Sequence, residues 1–184
     1  MTKVAVVYFS GYGHTKVIAE TFANEIQAVL VEVDQQGEIA DENWQTLNDA
    51  QAIVFGVPTY MGAAPWQFKK FADATSKLWV TREWQDKVFA GFTNSASLNG
   101  DKQLTLYQLQ TLASQHGGIW VSLGLLPANT KQATRNDINN LGGSVGLLIQ
   151  TPADASTDEI PTGDLDTAKI FAQRVLNITE KFYD

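Results

Sequence analysis

Residues 4–9, Val-Ala-Val-Val-Tyr-Phe, are apolar without a break. A run of this length, rich in β-branched residues, predicts a strand covered on both faces, as in a parallel sheet between two helical layers. From Val17 the period changes. Ile18, Phe22 and Ile26 recur every fourth residue with Ala19 and Ala23 beside them, so a helix starting near His14 turns one stripe to the sheet. The alternation continues along the chain. Strands are expected over Val29 to Val33, Ala52 to Val57, Val88 to Phe92 and Ile119 to Leu123. Helices are expected over Pro65 to Thr75, over Asp101 to Ser114 and, with a weaker pattern, near Glu42 to Leu47. In a C-terminal helix Ala168, Phe171, Ala172, Val175, Ile178 and Phe182 share a face, with Asp164 as the expected N-cap and the end near Tyr183. Alternating strands and helices predict an α/β doubly wound sheet of five parallel strands flanked by helices.

Pro127 to Pro161 is the least regular stretch, rich in Asn, Thr, Gly and Asp. It reads as a long functional or oligomer-contacting insertion before the C-terminal helix, with a short extra strand over Val145 to Ile149, and not as a domain boundary. A single domain over residues 1–184 is the expectation.

The first strand leads into Ser10-Gly11-Tyr12-Gly13-His14-Thr15 and then into a helix. Unpaired N–H groups and the positive end of the macrodipole at such a turn favour a phosphate, and the Ser10 and Thr15 hydroxyls add donors. Three phosphate loops are distinguishable here. A nucleotide-hydrolase loop ends in Gly-Lys-Ser/Thr, whereas Gly13 precedes His14. The dinucleotide fingerprint G-x-G-x-x-G requires a third glycine, and Lys16 stands in its place. The third type wraps the terminal phosphate of FMN in hydroxyls and backbone amides with no obligatory cation, and Ser10 and Thr15 fit it. An ordinary βα turn capped by Ser10 is the bland alternative.

Composition narrows the choice of partners. The 184 residues are 44% hydrophobic and 18% charged, with 13 basic against 20 acidic residues and a net charge of -7. That charge repels nucleic acid and anionic membrane surfaces. Without cysteine there is no disulfide, iron–sulfur cluster or thiolate chemistry, and His14 and His116 alone do not make a metal site. No run approaches a transmembrane length and no signal-peptide core is evident, so a cytoplasmic protein is expected.

In a doubly wound sheet, ligands bind outside the carboxyl ends of the strands, so the loops after strands one, three and four should converge. After strand three, Pro58-Thr59-Tyr60-Met61 offers aromatic and thioether groups to a flat ring. After strand four, Asn94-Ser95-Ala96-Ser97-Leu98-Asn99 is small and polar, suited to hydrogen-bonding the edge of a heteroaromatic ring.

These segments resemble the WrbA-type NAD(P)H:quinone oxidoreductases of the flavodoxin superfamily, and the likeness runs nearly end to end. Ser10 to Thr15 resembles the family's S-x-Y-G-H-[IT] loop, and Phe55-Gly56-Val57-Pro58-Thr59-Tyr60-Met61-Gly62 resembles F-G-x-P-T-R-F-G. Leu78-Trp79 is similar to the end of G-L-W, Asn94 to Gly100 stands in the place of S-T-G-T-G-G-G, and His116-Gly117 matches a His-Gly pair. The resemblance implies strand order 2-1-3-4-5. It implies FMN held by residues 10–15, by Pro58, Thr59, Tyr60 and Met61, by residues 94–99 and by His116. Tyr12 and Trp79 would border the space for nicotinamide or quinone. It further implies ping-pong hydride transfer from NADH or NADPH through FMN to a quinone-like acceptor, in a homo-oligomer, dimer or tetramer. Since the cofactor carries that chemistry, no acid-base residue is assigned.

The departures are specific. Tyr60 stands where the family has arginine, and Ala96, Leu98 and Asn99 replace glycines. If those positions required positive φ, the loop would be strained. The alternatives are an electron-carrier flavodoxin, against which the third loop argues by lacking an aromatic flank and acidic neighbours, and a flavin-free interaction protein.

Overall fold

The computed structural model describes residues 3–183. β1 (Val4–Tyr8) lies between β2 (Val29–Glu32) and β3 (Ala52–Pro58), β3 pairs with β4 (Val88–Ser95), and β4 with β5 (Ile119–Trp120), giving the order 2-1-3-4-5. All these pairings are parallel. The unbroken apolar run of β1 follows from burial on both faces. Val4, Val6 and Tyr8 point to one layer with Phe22 and Phe171, while Ala5 and Val7 point to the other with Phe68 and Leu109. The first layer holds α1 (His14–Ile26) and α6 (Thr162–Tyr183); the second holds α2 (Asp41–Asp49), α3 (Trp66–Ala74) and α5 (Lys102–Gln115).

Four details differ from the sequence expectation. A further helix, α4 (Ser76–Thr81), follows α3. The fifth strand stops at Trp120, short of Leu123, and β6 (Leu147–Gln150) continues along the same edge, pairing with Phe92 to Ser95 of β4 where β5 had paired with Val88 and Phe89. The edge position is therefore filled by two pieces, and the excursion between them is residues 121–146. β6 is the second half of an interrupted edge strand, and the irregular stretch begins before Pro127. Finally, α6 starts at Thr162, so Asp164 lies inside its first turn and does not cap it. Both Asp164 carboxylate oxygens are engaged from outside the helix: Arg135 donates to each, and the Gln150 amide donates to Oδ2 at 3.0 Å. Among the described residues no helix is long and apolar enough to cross a membrane.

Candidate functional site

The turn between β1 and α1 is organised by one hydroxyl. Ser10 Oγ accepts from the amides of Gly13 (3.1 Å) and Lys16 (3.2 Å), which leaves its own proton to donate. Gly13 takes φ 93°, a left-handed conformation that glycine adopts without a Cβ penalty. Among the described residues the amides of Gly11, Tyr12, His14 and Thr15 donate to no protein acceptor. They form an open set of donors at the positive end of α1. His14 and Thr15 are buried, and His14 Nε2 lies 2.8 Å from the carbonyl of Ala155.

The loops after β3 and β4 meet this turn. Pro58 and Asn94 are register partners, and the Thr59 amide donates to the Asn94 carbonyl at 2.7 Å. Thr59 Oγ1 lies 2.8 Å from Thr93 Oγ1 and donates to Thr105 Oγ1 at 2.8 Å, so its hydroxyl braces the floor. Tyr60 is fixed by a two-residue bridge with Ala63, and the Tyr12 ring meets it edge-on at 6.1 Å. Burial, with Tyr12 nearby, pushes the Tyr60 hydroxyl pKa up.

Between these loops lies a cavity of about 290 Å³. Tyr12, His14 and Thr15 line it from the first loop, Pro58, Thr59 and Tyr60 from the second, and Asn94, Ser95 and Ala96 from the third. Thr151 and Ala153, which follow β6, complete it. This fourth wall escapes a reading built on three loops. The usable signal is that residues 147–149 are an apolar strand run, so Thr151 stands at a strand's carboxyl end like the other wall residues. No Asp, Glu, Lys or Arg side chain lines the cavity among the described residues. Three buried polar atoms on its walls have no protein partner: Tyr60 Oη, Asn94 Oδ1 and Thr151 Oγ1. Buried polar atoms ordinarily find partners, so three together mark a place where a polar ligand completes the hydrogen bonding.

Other expected site residues lie elsewhere. Ser10, Gly11 and Gly13 belong to the first loop without lining the cavity themselves, Met61 is exposed beyond it, and Ser97, Leu98 and Asn99 are exposed on the rim loop that continues from Ala96. His116 and Trp79 are not brought to the cavity. The cavity lies at the Asn94 end of β4, whereas β5, which starts three residues after His116, pairs at the Val88 end. Those ends are about 20 Å apart at the usual strand rise. His116 packs 4.7 Å from the Trp84 ring, and because Thr75 Oγ1 donates to Ala72, His116 Nε2–H is the donor to Thr75 at 2.8 Å. Burial pushes the His116 pKa down, which keeps the ring neutral there. Trp79 is half-exposed on α4, directly after Thr75, at the same end. The feared loop strain is also absent. Positive φ falls at Gly100 (56°) and Asp101 (55°), while Ala96, Leu98 and Asn99 keep negative φ.

A family model described as NADPH-dependent FMN reductase matches residues 4–132. The chain belongs to this family. A Pseudomonas aeruginosa protein named Flavodoxin FldP is 62% identical over 183 residues, spanning all of both chains. An Archaeoglobus fulgidus protein named NAD(P)H dehydrogenase (quinone) is 29% identical over 205 residues, covering 98% of this chain and 99% of the other. The crystal structure of a flavodoxin, WrbA-like protein from Agrobacterium tumefaciens matches with TM-score 0.82 and 45% identity, covering 98% and 99% of the two chains. The flavodoxin-like fold and the WrbA-type resemblance read from the sequence therefore stand, and the NADPH-dependent FMN reductase family supplies the frame for the site.

Proposed function

We propose that the cavity binds FMN and that the bound flavin takes a hydride from NADH or NADPH and reduces a quinone-like acceptor. The observation that carries the reading is the convergence of the unpaired first-loop amides with three orphaned polar atoms across the cavity. The amides of Tyr12, His14 and Thr15 with the Ser10 and Thr15 hydroxyls would hold the phosphate. Pro58, Thr59 and Tyr60 would flank the ring, and Asn94 to Ala96 with Thr151 would hydrogen-bond its edge. A lining without lysine or arginine suits this assignment, because helix and amide donors need no cation to hold a phosphate. When bound, the flavin supplies the hydride chemistry; the chain binds it, orients it and limits water around it. Tyr12, 71% exposed at the rim, would border the incoming donor or acceptor.

A second reading, an electron carrier that passes electrons to a partner protein, is favoured by the name of the 62% identical relative and by the distance of Trp79 and His116 from the cavity. One experiment separates the two. Purified protein is titrated with FMN and then given NADH or NADPH anaerobically while flavin absorbance is followed. Rapid bleaching that a benzoquinone reverses supports the oxidoreductase. Bound FMN that ignores both nicotinamides supports the carrier, and no FMN binding overturns the cofactor assignment.

A further inference from the structure

The loop between β4 and α5 has a one-sided hydrogen-bond pattern. Every carbonyl from Ser95 to Asn99 accepts a protein hydrogen bond. The Ser95 carbonyl accepts from the Thr151 amide (3.3 Å), Ala96 from Gln150 Nε2 (2.7 Å), Ser97 and Leu98 from Lys102 Nζ (2.7 and 2.9 Å), and Asn99 from the Lys102 amide (3.3 Å). No amide from Ala96 to Gly100 donates to a protein acceptor among the described residues. In a planar trans peptide the C=O and the following N–H point in opposite directions. Drawing the Ser97 and Leu98 carbonyls onto Lys102 therefore turns the amides of Leu98 and Asn99 away from it. Lys102 is itself 1% exposed, and its third hydrogen bond goes to Ser95 Oγ at 2.9 Å, on a residue that lines the cavity. Gly100 makes the packing possible, since a Cβ there would sit 2.1 Å from Ser95 Oγ.

An ammonium buried beneath a loop of unpaired amides is a matched arrangement. The edge it creates donates hydrogen bonds and the charge behind it is positive, so it favours a ligand whose facing edge accepts hydrogen bonds and gains negative charge. An isoalloxazine ring reduced by two electrons and one proton is such a ligand. We propose that Lys102 is a positioning residue that, with Gln150, holds the 96–99 loop as a donor-only edge and makes the site prefer reduced over oxidised flavin. This inference rests on the FMN reading above and adds the residue that biases the cofactor's redox state.

The test uses Lys102→Met, which removes every donor, and Lys102→Gln, which keeps two neutral donors. In the flavin-free protein, thermolysin cleavage before Leu98 should be at least tenfold faster in Lys102→Met than in wild type, with Lys102→Gln between the two and still faster than wild type. In both variants the affinity for reduced FMN should fall about tenfold more than the affinity for oxidised FMN, a ratio a purely structural residue would not move. Equal losses for the two flavin states overturn the redox preference, and unchanged cleavage overturns the positioning role. If Lys102→Met does not fold, Lys102→Gln decides both points. Failure of wild-type protein to bind FMN in either state would overturn the cofactor reading and the redox preference with it, and cleavage of the flavin-free variants then decides positioning by itself.

Discussion

A methyl group built on Gly11 would sit 2.4 Å from the Tyr60 hydroxyl oxygen, so the first and second loops touch at a point where only hydrogen fits. The obstruction is the tip of one side chain, and Gly11 has no positive φ, so Gly11→Ala should cost less than about 1 kcal/mol in stability. The displaced Tyr60 should disturb the cavity much more. FMN affinity is expected to fall about tenfold, and Gly11→Ala with Tyr60→Phe should not recover it, because the relieved clash comes with the loss of one of the three orphaned polar atoms that the ligand completes. Titrations of the two variants check this; full recovery in the double variant would mean that Tyr60 Oη makes no bond to the ligand.

The contact illustrates what the sequence carried. β1, β3 and β4 were legible because burial on both faces leaves apolar runs with no polar interruption, and the first loop was legible because glycine and hydroxyl residues must recur where a helix begins. The fifth strand was not, since Val121 and Leu123 are buried and look like its continuation, although Val121 makes the last bond to β4, at the Phe89 carbonyl, and Leu123 donates instead to Ser144. Trp79 and His116 were assigned by motif, while chain direction points the other way: each helix after a strand returns toward the amino ends of the strands, and both residues lie where that return is complete. The role of Lys102 depends on three acceptors that only the folded loop brings together.

The His14 ring ties the segment after β6 to the first loop through the Ala155 carbonyl, 2.8 Å from Nε2. His14→Ala removes this bond, worth about 1 kcal/mol, together with the packing of a buried ring, for a total of about 2 kcal/mol. Global stability should change by no more than that, while proteolysis within residues 152–158 becomes faster and FMN dissociates sooner. An unchanged cleavage rate would show that the capping box at Ser156 and Glu159 holds the segment without His14.

Arg135 reaches from the excursion between β5 and β6 to Asp164, whose side chain is 4% exposed. Arg135→Met leaves a buried carboxylate with only the Gln150 amide, and should cost about 3 kcal/mol in urea unfolding. Replacing both partners, Arg135→Met with Asp164→Leu, should recover part of that loss, because no uncompensated charge remains. Additive losses would refute the pairing as the source of the cost.

The Lys102 ammonium is pushed down to about 8, chiefly by burial, with nearby Asp164 raising it and Arg135 lowering it. An unfolded lysine titrates near pH 10.4. Between pH 8 and 10.4 the unfolded chain therefore holds the extra proton, and stability contributed at this position rises with pH. Relative to Lys102→Met, wild-type protein should gain up to about 3 kcal/mol across that window and nothing below pH 7. Urea midpoints of the two proteins at pH 6, 8 and 10 provide the comparison; a constant difference would mean that the lysine keeps its proton throughout.

Trp79 and Tyr12 make the sharpest contrast, because the sequence resemblance gives them one role and the structure separates them. Tyr12 lines the cavity, whereas Trp79 lies on α4 beside Thr75, toward the Val88 end of the sheet. Within one protomer, Trp79→Ala has no route to the flavin except through the fold, and its half-exposed ring contributes little to the core. Trp79→Ala should leave the FMN dissociation constant within about twofold of wild type, since surface substitutions away from a site usually change stability by less than about 0.5 kcal/mol. Tyr12→Ala should instead raise the KM for NAD(P)H or quinone several-fold while retaining FMN. Titration and steady-state kinetics on both variants read these effects independently. Loss of FMN in Trp79→Ala with unchanged melting would restore Trp79 to the site and require a second copy of the chain to bring it there.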